Sequence, residues 1–109
     1  MRMYDIHNNS QNKDTVKYEL DKEIKSTKRE SDRLLYLIVG YGSSGGSHKI
    51  KNYVIEYLNE YIKTGFVKDY IIGSDIDIFN PKYQQFKGRE KLPENVKKER
   101  NPGVIIVLV

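Results

Sequence analysis

No cysteine occurs among the 109 residues of this chain. This absence excludes a disulfide scaffold, a thiolate zinc site and a cysteine nucleophile. Long apolar runs are also missing, because none approaches the roughly 20 residues that a bilayer-spanning helix needs. The polar amino terminus does not have the pattern of a signal peptide. We therefore expect a cytoplasmic protein with no membrane partner.

The composition fits one small domain, residues 1–109, with a single modest core. Hydrophobic residues make up 38% of the chain and charged residues 31%, and the net charge is +4. A basic balance of this kind mildly favours polyanionic partners. The segment from Lys87 to Arg100 holds six basic and three acidic residues and so carries most of the excess. A solvated lysine-rich loop has the same appearance.

Apolar spacing predicts two helices and four strands. From Asp14 to about Glu30 the apolar residues recur at helical spacing, with Asn12 or Asp14 available as the N-cap. A second helix is expected from an N-cap at Ser47 to about Lys63, closed by Gly65. The strands are expected at 2–8, 33–40, 67–73 and 104–109, of which the second and fourth are apolar throughout and therefore covered on both faces.

The order β-α-β-α-β-β predicts an α/β fold. We expect a two-layer sandwich, with a mixed, mostly parallel four-stranded sheet and the helices packed on it. Residues 80–102 read as a long basic loop before the last strand. A loop of that length in a compact domain is either functional or partly disordered.

A glycine-rich segment follows the second strand and precedes the second helix. The stretch YGSSGGSHK runs from Tyr41 to Lys49, directly after Gly40. Free N–H groups and the positive dipole end of a helix start attract anions, and glycines allow the backbone to come close to them. The segment has neither the GK[ST] ending of a Walker A loop nor the G-x-G-x-x-G register. It is either a phosphate-binding loop or a flexible connection whose lysines are incidental.

A second motif, Asp5-Ile6-His7, lies at the end of the first strand. Residues two apart on a strand point to the same face, so the two polar side chains are expected together. In α/β sheets such strand ends are where ligands bind, and the glycine-rich segment leaves from the same place. An aspartate beside a histidine can orient the imidazole or share a metal, although most such pairs are structural.

In their order and spacing these motifs resemble those of the Smr (small MutS-related) domain, over nearly the whole chain. The leading family motif, commonly L-D-L-H-G, is matched by Tyr4–Asn8, which keeps the acid and the histidine and lacks the glycine. The second motif, H-G-x-G, is matched by Val39–Gly42, which keeps both glycines and lacks the histidine. Gly103 matches the glycine before the last strand.

The resemblance implies a two-layer α/β fold like the carboxy-terminal domain of the third bacterial translation initiation factor. It also implies binding of DNA or RNA, with an endonuclease activity on phosphodiester bonds in DNA repair, recombination or RNA processing. Asp5 and His7 would form the acid/base or metal-orienting pair, with Mg²⁺ or Mn²⁺ as candidate ions. The residues expected to contact phosphate or nucleic acid are Gly40, Tyr41, Gly42, Gly45, Gly46, Ser47, His48, Lys49, Lys51, Lys87 and Arg89.

Two other functions are compatible with the sequence, namely nucleic-acid binding without cleavage and protein interaction. For base stacking, Tyr41, Tyr83 and Phe86 are the candidates because they fall in predicted loops, whereas the tyrosines at 53, 57 and 61 follow the apolar stripe of the second helix and are more typical of core. Asp75 and Asp77 are an acidic pair that could bind Mg²⁺, although such pairs are usually solvated. The oligomeric state is left open.

Overall fold

The computed structural model describes residues 1–7, 12–40 and 49–109. Its elements, in chain order, are β1 Arg2–Asp5, α1 Lys13–Thr27, β2 Leu34–Ile38, α2 Lys49–Thr64, β3 Asp69–Ile72, α3 Pro81–Gln85, α4 Glu94–Glu99 and β4 Val104–Leu108. The α/β class and the four strands are therefore confirmed. None of the helices in the described part of the chain is long and apolar enough to cross a membrane.

The strands form one open mixed sheet in the order β1-β2-β4-β3. β1 pairs in parallel with β2, whereas β4 pairs antiparallel with both β2 and β3. The prediction of a mostly parallel sheet is therefore wrong, since two of the three pairings are antiparallel. The helical crossovers do keep β1, β2 and β3 running in one direction. The difference comes from β4, which runs the opposite way and inserts between β2 and β3.

The two central strands are buried on both faces, as their uninterrupted apolar sequences predict. On β2, Leu35 and Leu37 face one core cluster, whereas Leu34 and Tyr36 face the other. The side chains of β4 alternate in the same way, and all five of its residues are buried. A strand that is apolar on both faces needs a covering layer on each side of the sheet.

The first layer consists of α1 and α2. Val16, Leu20 and Ile24 of α1 are fully buried at the predicted spacing, and α2 contributes an equivalent stripe. The Asn12 side chain accepts hydrogen bonds from the N–H groups of residues 14 and 15 and so caps α1. At the end of α2, Gly65 adopts a positive φ of 82°, as expected of a glycine that ends a helix.

Tyrosines of α2 fill the contact between the two helices. Lys13 Nζ lies 5.6 Å from the ring centroid of Tyr53, and Lys17 Nζ lies 5.7 Å from that of Tyr61. The Tyr61 hydroxyl donates to Asp21, and burial raises the pKa of Tyr61 to about 12. These rings are engaged in helix packing, as their position on the apolar stripe indicated.

The second layer is formed by residues 73–100, which include most of the long basic loop predicted at 80–102. The structure shows α3, α4 and single 3₁₀ turns at Gly73–Asp75 and Arg89–Lys91. Asn80 caps α3, and Pro81 occupies its first turn. The buried side chains that this layer packs against the sheet are Ile76, Tyr83, Phe86, Leu92 and Val96. The sheet is therefore covered on both faces, which adds a layer to the predicted two-layer arrangement.

Two phenylalanines of this second layer provide a test of its structural role. Phe86 is 4% exposed, whereas Phe79 is 89% exposed. Phe86→Ala should lower the free energy of unfolding by about 3–5 kcal/mol because it leaves a cavity against β2. Phe79→Ala should change it by less than about 0.5 kcal/mol. Denaturant unfolding of both variants measures the difference, and equal effects would contradict a packed second layer.

Candidate functional site

The candidate site lies at the end of the sheet where β1, β2 and β3 finish and β4 begins, which we call the carboxyl end. In the parallel pairing of β1 with β2, Asp5 is opposite Ile38. The residues that follow these two strands, His7 and Gly40, therefore leave the sheet side by side. The Asp-Ile-His motif and the start of the glycine-rich segment are thus neighbours, as the strand directions predict.

Main-chain hydrogen bonds fix the exit of β1. The N–H groups of Ile6 and His7 both donate to the carbonyl oxygen of Ile38, each at 3.1 Å. The His7 N–H also donates to Oδ1 of Asp5 at 3.0 Å. The Asp5 carboxylate therefore closes the turn after β1 through the main chain of His7. This contact gives Asp5 a positioning role.

The imidazole of His7 packs directly on Gly40. A β-carbon added to Gly40 would lie 2.8 Å from Nε2 and 2.9 Å from Cγ of His7, and closer still to Cδ2. Gly40 also has a φ of 78°, which side-chain-bearing residues rarely adopt. Two independent constraints therefore require glycine here. Sequence reasoning expected Gly40 to approach a phosphate, whereas the structure shows that its neighbour within the chain is an imidazole.

The start of β4 holds the exit of β2 from the other side. The carbonyl oxygen of Gly103 accepts from the N–H groups of Val39 at 2.8 Å and Gly40 at 3.1 Å. The Gly103 N–H donates to Oδ1 of Asn101 at 2.8 Å. Gly40 is thus positioned by His7 on one side and by Gly103 on the other. Asn101 was not singled out from the sequence, since a lone asparagine near a glycine is a common turn signal.

The amino terminus of α2 lies at the same end. The helix begins at Lys49, and its first turn, 49–52, contains two lysines and no acid. Lys49 is exposed and Lys51 is half-buried. Main-chain N–H groups, the helix dipole and these ammonium groups all favour an anion. The predicted contact residues Tyr41, Gly42, Gly45, Gly46, Ser47 and His48 lie outside the described residues.

Lys87 and Arg89 do not join this site. The Lys87 N–H donates to Oδ2 of Asp69, the first residue of β3, at 3.0 Å. Arg89 Nη1 donates to Oε1 of Gln84 at 2.7 Å. Lys87 therefore lies toward the opposite end of the sheet, where β3 starts. Arg89 begins the 3₁₀ turn Arg89–Lys91, whose Lys91 Nζ donates to the main-chain oxygen of Asp32, just before β2, at 3.4 Å. The structure separates them from His7 and Gly40.

Two of the three aromatic residues predicted to stack on bases are buried. Tyr83 is 9% exposed and Phe86 is 4% exposed, so neither ring presents a face to a ligand. The exposed aromatic residues in the described ranges include Tyr18 and Phe79. Neither was identified from the sequence, because a single aromatic residue outside a regular apolar pattern gives no sign of whether its ring faces the core.

The acidic pair Asp75 and Asp77 does not form a metal site. Oδ1 of Asp75 accepts from the side-chain amide of Asn80 at 3.4 Å, and Oδ1 of Asp77 accepts from the N–H of Phe79 at 2.9 Å. Oδ2 of Asp77 lies 3.6 Å from Nη1 of Arg100. These carboxylates shape a turn. In residues 1–7, 12–40 and 49–109 no three His, Cys, Asp or Glu side chains are grouped to hold a metal ion.

Comparison with protein-family models, with curated proteins and with solved structures found no match. The exposed imidazole of His7 packs on Gly40 and can donate or accept a hydrogen bond. At the same end of the sheet, two lysines and the amino terminus of α2 present positive charge. The arrangement is suited to binding an anion at the carboxyl end.

The contact between Gly40 and His7 predicts a measurable difference between two glycine substitutions. Gly65 has a similar φ of 82°, but a β-carbon added there would meet no atom within 4 Å. Gly65→Ala should lower the free energy of unfolding by about 1 kcal/mol through backbone strain. Gly40→Ala should lower it by about 2–4 kcal/mol because it adds a clash with the imidazole.

The cause of the extra loss at Gly40 can be tested separately. Introducing His7→Ala into the Gly40→Ala variant removes the clashing ring, so part of the lost stability should return in a double-mutant cycle of unfolding free energies. Additive effects of the two substitutions would show that the ring does not pack on Gly40.

Proposed function

We propose that this chain is an Smr-like nucleic-acid-binding domain that holds a backbone phosphate of DNA or RNA at the carboxyl end of its sheet. The observation that carries the proposal is the packing of the His7 imidazole on Gly40. This contact brings the two motifs of the family resemblance to one place, next to the start of α2.

Phosphate is the anion that best suits the donors present. It accepts hydrogen bonds from main-chain N–H groups at a helix amino terminus, and the dipole of α2 favours its charge. Lys49 and Lys51 add positive charge, and His7 adds a side-chain donor. A phosphodiester backbone supplies such anions in series, and lysine contacts to it need no particular base sequence.

The departures from the family pattern favour binding over cleavage. The position of the second-motif histidine is taken here by Val39, whose side chain is 3% exposed and packs in the core. The Asp5 carboxylate accepts the main-chain N–H of His7. Any phosphodiester cleavage would therefore depend on His7 as the general acid or base, a role that typically contributes about 10²–10⁴-fold to a rate. We propose nucleic-acid binding as the primary function and phosphodiester cleavage as an activity that depends on this binding and on His7.

Electrophoretic assays with supercoiled plasmid and with a labelled structured RNA separate these activities. Wild type, His7→Ala and Asp5→Asn are each incubated with Mg²⁺, with Mn²⁺ and with a chelator. The proposal predicts that the nucleic acid is retarded with Mg²⁺, with Mn²⁺ and with the chelator, because the proposed contacts to phosphate do not use a metal ion. Cleavage that is lost in His7→Ala would add a nuclease activity centred on β1. Absence of both retardation and cleavage would overturn the proposal.

A charge-matched pair of variants locates the binding site. Lys49→Gln/Lys51→Gln removes two charges at the start of α2, and Lys22→Gln/Lys82→Gln removes two exposed charges on α1 and α3, of which Lys82 lies 3.8 Å from Asp75. For a labelled single-stranded DNA, the first pair should reduce the slope of log affinity against log salt by about one per lysine. The control pair should leave the slope nearly unchanged. If the two pairs have the same effect, the carboxyl end is not the phosphate site.

A further inference from the structure

The positive charge of the chain is concentrated at the other end of the sheet. We call this the amino end and define it by segments 25–33, 63–69 and 87–91, which border the starts of β2 and β3. These segments contain nine of the 19 basic residues and four of the 15 acidic residues. The remainder of the chain holds ten basic and eleven acidic residues and is close to neutral. The net charge of +4 therefore comes from one surface.

At the centre of this surface, Arg33 and Lys68 flank residues 108–109, and Lys28 is near enough to both for their charges to affect it. Arg33, directly before β2, donates from Nη2 to the carbonyl oxygen of Val109 at 3.2 Å. On the other side, the N–H of Lys68, directly before β3, donates to the carbonyl oxygen of Leu108 at 2.9 Å. The two backbones are separated by two strand spacings, roughly 10 Å. Lys28, at the end of α1, lies over the ring of Phe66, with Nζ 4.3 Å from its centroid.

No Asp or Glu side chain in the described residues lies within ion-pair distance of Lys28, Arg33 or Lys68. The oxygen that Arg33 contacts belongs to the main chain of Val109. Burial and the nearby charges of Arg33 and Lys68 lower the pKa of Lys28. In addition, Nε of Arg33 is buried without a hydrogen-bond partner. Mutual repulsion of this kind is relieved when an anion binds.

Arg33 is held in a strained conformation. Its φ is 60°, in the left-handed region that a residue with a long side chain rarely adopts. Contacts of the preceding residue maintain it, because Asp32 accepts from the N–H of Leu34 at 3.2 Å and pairs with the amino group of Met1 at 2.6 Å. Strain that neighbouring contacts hold in place is common where a side chain must be presented in one direction.

Helix dipoles do not account for the whole group of cations. The dipole of a helix stabilises a cation near its carboxyl end without any ligand, and this effect is sufficient to explain Lys28 at the end of α1. Arg33 and Lys68, however, precede strands. Lys87 follows Phe86 in the second layer and is tied to the start of β3 through its main chain. Residues from three separate parts of the chain therefore meet at one charged surface.

We propose that the amino end is a second contact surface for the phosphodiester backbone of nucleic acid, centred on Lys28, Arg33 and Lys68 with Lys87 at its rim. The proposal rests on the proposed function for the class of ligand, and places a separate surface at the opposite end of the sheet. An acidic protein is a poorer fit, because protein interfaces have an apolar centre. At this end the exposed large apolar side chain in the described ranges is Ile62, at 36%.

The test compares two triple variants with the same change in net charge. Lys28→Gln/Lys68→Gln/Lys87→Gln removes the lysines of the surface, and Lys22→Gln/Lys82→Gln/Lys98→Gln removes exposed lysines from α1, α3 and α4. Arg33 is left in place because its conformation is strained. The probe is a short fluorescently labelled single-stranded DNA, with affinity measured between about 50 and 200 mM salt. Thermal unfolding checks that every variant is folded.

The amino-end variant should reduce the slope of log affinity against log salt by about three, and the control variant by less than about one. Equal reductions would show that net charge alone matters, and no reduction would show that the surface is not contacted. Either result overturns the proposal. It is also overturned if polyglutamate competes as effectively as unlabelled DNA, since the surface would then accept an acidic polypeptide.

The Lys49→Gln/Lys51→Gln variant separates this proposal from the function proposed for the carboxyl end. An effect of the amino-end variant without an effect of Lys49→Gln/Lys51→Gln supports the amino-end surface and removes the carboxyl-end site. The reverse pattern overturns the amino-end surface and leaves the carboxyl-end site in place.

Discussion

The insertion of β4 between β2 and β3 is the constraint on which the rest of the structure depends. Every residue of β4 is buried, and its side chains alternate between two core clusters. Both faces of the sheet must therefore be covered, one by α1 and α2 and the other by residues 73–100. Because β4 runs against its neighbours, Gly103 meets the exit of β2 at one end of the sheet and Val109 meets Arg33 at the other.

The two ends of the sheet consequently have different physical characters. The carboxyl end has a defined geometry, in which an imidazole packs on a glycine at the end of the sheet where α2 begins. The amino end has an excess of cations without a comparable arrangement of hydrogen-bond donors. Contacts of the first kind fix where a phosphate lies, whereas contacts of the second kind raise affinity through counterion release. The proposed function would use both kinds of contact, and the two ends that supply them are separated by the length of the strands.

Much of the fold could be predicted from local patterns, whereas the arrangement around β4 could not. The apolar run 104–108 marks a buried central strand, but it fits a parallel and an antiparallel position equally well. The exit of β1 beside Gly40 follows from the parallel direction of β1 and β2, so His7 and Gly40 were expected together. In the second layer, Ile76, Phe86 and their partners lie among charged residues at irregular spacing, which hides their burial. The amino-end surface joins distant segments, and no local pattern encodes it.

The central proposal is that nucleic acid contacts the two ends of the sheet and not the outer surface of α1 and α2. The most direct measurement is a nuclear magnetic resonance titration of isotope-labelled protein with a short single-stranded DNA, following the main-chain amide signals. The account predicts that the signals of His7 and Gly40 shift at the carboxyl end and that those of Arg33 and Lys68 shift at the amino end. The signal of Lys22, on α1, should remain in place. Shifts confined to the exposed surface of α1 and α2, with both ends unchanged, would contradict it.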